Sequence, residues 1–274
     1  MIITILKKTP LYFIYQHLKK WVHNHISRKP NPDYRSLLLK TQSHSKFNTY
    51  ATQLVKDGIL ILPSYFSPEK TQEFKTEFDT IISTHSIQPT TDKEIYINKL
   101  AQIHDTLPLK YFVSDPLLSN IAQYYWGQPC DIVSSFGYQI DPMPPKDFSS
   151  YQWHHDCKFK QLKVFVLLTD LEEDGQTLDY IPGTHTMTHV FTSYDESRFN
   201  SSTISQYGTP IKSTGKAGTV IFIDTNGLHR GNRNESYPRA LWSNLIMPSH
   251  FSTRIRRQDT LNTDGYLSYS LSQK

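Results

Sequence analysis

From Asp131 onward the chain is divided into short apolar or alternating segments, each closed by proline, glycine or a polar turn. Seven of them read as strands: 131–141, 150–156, 161–170, 177–181, 208–213, 218–224 and 237–247. The gaps hold turn chemistry, including Pro142-Met143-Pro144-Pro145, Glu173-Asp174-Gly175, Pro182-Gly183 and Lys216-Ala217-Gly218. Many short strands so spaced predict a β-sandwich or barrel. The 17 Tyr and 14 Phe suit strands that wall a pocket.

Upstream, the signals are helical. A helix is predicted around 45–57, ended by Gly58, and the apolar run Ile59-Leu60-Ile61-Leu62 after it is of strand type. Ser67-Pro68-Glu69 combines an N-cap, a first-turn proline and a first-turn acid, which opens a helix to about Ser86. Asp115-Pro116 repeats that signal, and Gly127 stops the second helix after Trp126. The fold class is therefore mainly β with flanking helices.

Charge divides the chain differently. Residues 1–40 carry eight Lys/Arg against the single acid Asp33, a balance of +7 in a chain whose total is +4. The remainder, near neutrality, has no basic stripe of the kind that binds nucleic acid, so no nucleic-acid partner is expected. Within the arm, Leu11, Ile14, Tyr15, Leu18, Val22 and Ile26 recur at helical spacing over 10–28, with His17, Lys19, Lys20, His23 and Asn24 on the other side. Such a helix docks on protein, its own domain or a second copy, or lies on an anionic membrane surface. Lys29-Pro30-Asn31-Pro32-Asp33 reads as the linker behind it. The organisation is a basic amphipathic arm (1–40), a catalytic-type domain with a helical N-terminal part (41–250) and a polar tail (251–274). Two cysteines, Cys130 and Cys157, make no disulfide framework. No apolar run approaches the ~18 residues of a membrane span. A cytoplasmic location is the expectation; no pattern fixes an oligomeric state.

The chemistry is concentrated in two stretches, Trp153-His154-His155-Asp156 and Asp224-Thr225-Asn226-Gly227-Leu228-His229-Arg230-Gly231. On an extended strand, residues i and i+2 point to one side, so His154 and Asp156 can aim an imidazole and a carboxylate at one point. His229, from another strand, can supply a third ligand. Two His and one carboxylate leave three coordination positions open, the arrangement of non-haem Fe(II) oxygenases. A lone His-x-Asp is more often a surface polar pair, so the ordered context carries the reading. His155 alternates to the opposite side and reads as a substrate-pocket rim or packing residue, and Trp153 is read as lining the substrate pocket. Lys163 and Phe165 share a strand face with Leu167. If that face is interior, Lys163 is a buried cation seeking an anion, cosubstrate or substrate; otherwise it is a solvated strand lysine.

The same text, with Leu162 to Asp170, Tyr180-Ile181-Pro182-Gly183-Thr184-His185 and Pro238-Arg239, resembles the phytanoyl-CoA dioxygenase family of Fe(II)- and 2-oxoglutarate-dependent oxygenases, over roughly residues 55–248. The resemblance implies a double-stranded β-helix, a cupin-like jelly roll with helices packed outside. It implies Fe(II) held by His154, Asp156 and His229, and a cation soon after the distal His to grip the far carboxylate of 2-oxoglutarate. Arg239, ten positions after His229, fits, and a guanidinium fork matches a carboxylate. Tyr138, Phe165 and Lys163 are the further cosubstrate-binding candidates. The implied reaction is O₂-dependent hydroxylation of an unactivated C–H bond in a small-molecule or lipid- or glycan-linked substrate, with release of succinate and CO₂. Halogenating relatives replace the ligand carboxylate with a small residue; Asp156 is retained here. The competing class is a cupin-like metal-binding module, non-catalytic or non-redox, since a fold does not fix a function.

Overall fold

A computed structural model of the chain describes residues 31–42, 45–84, 106–145, 149–156, 160–187 and 198–249, with helical positions 10, 12, 14, 15 and 18 and strand segments 94–96 and 269–270. The elements are α1 (Pro32–Thr41), α2 (Ser45–Asp57), β1 (Ile59–Leu62), α3 (Pro68–Thr84), β2 (Glu94–Tyr96), α4 (Leu107–Ser114), α5 (Pro116–Trp126), β3 (Cys130–Ile140), β4 (Trp153–His154), β5 (Leu162–Leu167), β6 (Leu178–Tyr180), β7 (Arg198–Phe199), β8 (Ile211–Lys212), β9 (Val220–Asp224), β10 (His229–Gly231), β11 (Arg239–Pro248) and β12 (Tyr269–Ser270).

Two antiparallel sheets form the jelly roll. The larger runs β1-β9-β5-β11-β3-β12, with β2 also on β3; the smaller runs β7-β4-β10-β6-β8. The period of two explains why β9 is apolar throughout. Val220 and Phe222 join Leu60, Val164, Val166, Ala240 and Trp242 in a cluster with Phe47, Phe74, Phe112 and Trp126 of the helices. Ile221 and Ile223 point the other way, into a second cluster with Ile59, Phe165, Leu167, Leu241 and Tyr180 of the smaller sheet. The larger sheet is thus apolar on both faces, one under helices and one towards the site.

The helices start and stop for local reasons. Asp115 accepts from the N–H groups of Leu117 and Leu118 at the head of α5, and Gly127 closes it in the left-handed conformation at φ 66°. Asn31 caps α1 in the same way. Pro32, expected in a linker, is instead the first residue of α1. α1 is tied to α5: Arg35 donates to the carbonyls of Tyr124 and Tyr125, and Leu38 is buried. Of the expected helix over 10–28, the described positions are helical at Pro10, Tyr12, Ile14, Tyr15 and Leu18; the rest lies outside the described residues, as does nearly all of the 251–274 tail. Ile14, Tyr15 and Leu18 are 60%, 54% and 57% exposed.

One strand is much shorter than expected. Of 150–156, only Trp153 and His154 are extended; a 3₁₀ turn over Ser149–Tyr151 precedes them and Asp156 lies in a bend. Ser149 and Ser150 favour a local turn, as short hydroxyl side chains do. The 208–213 segment likewise shrinks to β8.

Candidate metal centre

His154 and His229 face each other as a direct cross-strand pair between β4 and β10. Their ring centroids are 4.2 Å apart. Each ring is held by its own chain: His154 Nδ1 is 2.7 Å from the Gln152 carbonyl, and His229 Nδ1 is 2.9 Å from the Gly227 carbonyl. A proton on each Nδ1 donates to those carbonyls and leaves both Nε2 lone pairs pointing inward, the tautomer a metal requires. Asp156 Oδ1 lies 3.2 Å from His154 Nε2 and 3.5 Å from His229 Nε2. The three ligand atoms sit within 4.8 Å of one another, the one such group of His, Cys, Asp and Glu among the described residues.

Although Asp156 lies past the end of β4, its backbone is fixed by a hydrogen bond from its N–H to the Thr225 carbonyl at 3.0 Å. That turn is in turn organised by buried Asp224. Its carboxylate accepts from the Tyr125 hydroxyl, the Gln161 N–H and the Asn226 N–H, while its carbonyl accepts from Gly227 N–H and the Tyr180 hydroxyl. Five donors from four segments thereby set where the chain enters His229. This explains what Asp224 does in a motif whose chemistry lies five positions later.

The electrostatics favour ligation. Burial, reinforced by the neighbouring His229, pushes the His154 imidazole down to about 4, so it stays neutral in ordinary buffers. Burial tends to raise the Asp156 carboxyl, but Lys163, His229 and His154 outweigh it and hold it well below the usual range. Lys163 Nζ is 2.5 Å from Asp156 Oδ2.

A cavity of about 180 Å³ opens on this group, lined by Phe136, Tyr138, Lys163, Phe165, Arg239 and Ser243 among others. Tyr138, Phe165, Lys163 and Arg239 are thereby brought together with the three ligands. Arg239 is 4% exposed; Nη1 donates to the Gln176 carbonyl at 2.5 Å, and Nη2 lies 3.4 Å from the Tyr138 hydroxyl. Its Nε has no partner. A buried guanidinium without an acidic partner among the described residues is costly unless an anion arrives. The hydroxyl of Ser243, four positions along β11, is also buried and unpartnered in this cavity. These two orphans and the donor set fit a divalent ion with a dicarboxylate. Ser243 was not legible in sequence; its signal is the alternation 239, 241, 243 along one strand face.

Trp153 and His155 are elsewhere. Neither lines the cavity: Trp153 packs with Ile181, Ile204 and Leu228, and His155 meets Phe199 edge-on at 5.3 Å. With His154 turned inward, Trp153, its neighbour on the short strand, turns outward. A larger open groove beside α3, lined by Glu69, Glu73, Glu77 and Lys110 among others, holds none of these residues.

Comparison with known proteins agrees with the geometry. The sequence profile of the family described as phytanoyl-CoA dioxygenase matches residues 54–239, more than half of the chain. An ectoine dioxygenase of Bordetella bronchiseptica is 27% identical over 218 residues, 68% of this chain and 70% of the relative. One from Sphingopyxis alaskensis is 24% identical over 225 residues, with coverage of 68% and 70%. Among solved structures, the epimerase SnoN in complex with Fe3+, alpha-ketoglutarate and nogalamycin RO superposes with a TM-score of 0.59 at 17% identity, covering 75% of this chain and 84% of that one. EctD from S. alaskensis with 2-oxoglutarate and 5-hydroxyectoine gives 0.55 at 18% identity, with coverage of 73% and 75%. Likeness at that identity speaks for the fold alone.

Proposed function

We propose, from the premise that this chain belongs to the phytanoyl-CoA dioxygenase family, that it is a 2-oxoglutarate-dependent iron dioxygenase that hydroxylates a compact polar small molecule. The observation that carries this is the meeting of three ligand atoms and an unpaired buried guanidinium in one cavity. His154, Asp156 and His229 would hold Fe(II). Bound there with 2-oxoglutarate and O₂, the iron supplies the oxidation: the oxo acid leaves as succinate and CO₂, one oxygen atom entering succinate and the other a substrate C–H bond.

The chain's own contribution is placement. Gln152 and Gly227 carbonyls lock both imidazole tautomers, and the Arg239 fork receives the far carboxylate of the cosubstrate. Phe136, Tyr138 and Phe165 wall the cavity and limit water around the reacting atoms. The described cavity also carries Ser150, Tyr151 and Thr225 in its lining, which favours a small polar substrate over a long acyl chain. That relatives named for ectoine, a small polar molecule, match this chain supports the same size class. The test is anaerobic addition of Fe(II) and 2-oxoglutarate, followed by air and a panel of small polar metabolites. Succinate formed in step with a hydroxylated product is the expected result; no iron binding and no succinate would leave a binding module instead.

A second observation concerns where the enzyme works. Exposed Ile14, Tyr15 and Leu18 on one helix, within a stretch of residues 1–30 that carries six Lys/Arg and no acid, favour contact with an anionic membrane surface. Among the described residues, no helix is long and apolar enough to cross a membrane. Co-sedimentation with phosphatidylserine vesicles should be lost in an Ile14→Asp, Leu18→Asp variant. Equal binding by both proteins would remove the idea.

A further inference from the structure

Lys163 stands on the inward face of β5, in alternation with Phe165 and Leu167, which belong to the inner apolar cluster. Its strand partners are Leu245 on β11 and Ile223 on β9. A lysine in such a row carries a desolvation cost, and its side chain retains only 25% exposure. What it meets is one particular oxygen. Nζ is 2.5 Å from Oδ2 of Asp156, whereas Oδ1 of the same carboxylate is the atom turned to both imidazoles, 3.2 and 3.5 Å away. The two oxygens are thus divided, one towards the ligand cluster and one towards the ammonium.

We propose that Lys163 is a positioning residue that keeps Asp156 a one-oxygen ligand, so that positions stay open for both the 2-oxo acid and O₂. This rests on the iron-centre reading above. A carboxylate with both oxygens free can close on a divalent ion with both. A charge-assisted hydrogen bond to Oδ2 removes that option, because the oxygen would have to leave the ammonium to reach the ion. A three-ligand site that became a four-donor site would keep only two open positions, and a chelating 2-oxo acid, which takes both, would leave none for O₂. The arrangement also explains why a cation is tolerated beside a cation site: its role is to orient an oxygen, and it lends no affinity. Its positive charge opposes the incoming ion.

The test separates orientation from affinity. Cobalt(II) is titrated into metal-free wild type and Lys163→Met, first without and then with 2-oxoglutarate. Lys163→Met should bind cobalt as tightly as wild type or tighter. It should show an altered visible cobalt spectrum before any cosubstrate is added, and the difference from wild type should persist once 2-oxoglutarate is bound. Lys163→Arg, which keeps the charge, should retain the wild-type spectrum, and Lys163→Gln, a second neutral variant, should shift it as Met does should Met fail to fold. An unchanged cobalt spectrum in a folded neutral variant would overturn the proposal and make Lys163 a direct contact of cosubstrate or substrate. An Arg variant as perturbed as Met would overturn the charge-assisted pairing. Wild type that binds no cobalt would bring down the iron-centre reading as well, which is a distinguishable result.

Discussion

The two sheets of this protein are built on different principles. The larger contains strands of eleven and ten residues, β3 and β11, with an apolar face sealed by helices. In the smaller, strands run two or three residues, yet β4 and β10 carry both histidines. Length and burial are where stability resides; the short strands are held by side chains and turns, such as the five donors on Asp224. Precision in the small sheet is therefore borrowed from the large one, through Tyr125 on α5 and Gln161 at the head of β5.

This contrast is easiest to break at its extremes. His229→Ala should abolish hydroxylation and metal stoichiometry while the metal-free protein melts close to wild type. A variant that still loads one iron would mean the ligand set is misassigned. Trp242→Ala, in the large sheet, should do the reverse. Its indole is fully buried, donates to Ser135 Oγ at 2.7 Å and packs edge-on to Phe78. The expected loss is about 3–5 kcal/mol in denaturant unfolding, with metal affinity unchanged in whatever fraction stays folded.

Arg239 tests whether the division is strict, since it belongs to the large sheet and yet serves the site. Arg239→Ala should raise the 2-oxoglutarate concentration required by roughly ten- to hundredfold, from the loss of charge-assisted hydrogen bonds. The substrate requirement should hardly move. Equal loss in both would show that Arg239 supports the fold rather than the cosubstrate.

The smallest effect is in pH. His185 joins the small-sheet side to α2, its Nε2 3.1 Å from the Val55 carbonyl. Burial lowers its pKa, against the opposing pull of Asp224. In the unfolded chain an ordinary histidine takes its proton at about 6.5. Below that value the unfolded state therefore holds a proton that the folded state resists, and stability falls with falling pH until the folded value is reached. Denaturant midpoints of the metal-free protein at pH 7.5 and 5.5 should differ less in His185→Gln than in wild type. An unaltered difference would assign the slope to other groups.

Much of this was legible in the residues themselves. Asp115-Pro116 and Gly127 bracket α5, the apolar run into Asp224 is β9, and His154, Asp156 and His229 do converge. Such signals are local, or depend on residue types few folds need in that order. What escaped was set by distant partners. α4 is eight residues long, too short for a helical period to register. The bend at Asp156 depends on the Thr225 carbonyl, 69 positions away. Ser243 enters the cavity only through its register with Phe136 and Phe165. Likewise, no pattern around Lys163 could say which anion it would meet.

The pairing of His154 with His229 spans 75 positions of chain and rests on a single rung between two very short strands. The large sheet is no more local, since β1 pairs with β9 and β3 with β11, so the seat is complete only when the whole domain has come together. A ribosome-bound or half-collapsed chain therefore has no assembled seat for a redox-active ion. Tight iron loading is thereby expected only of the folded molecule.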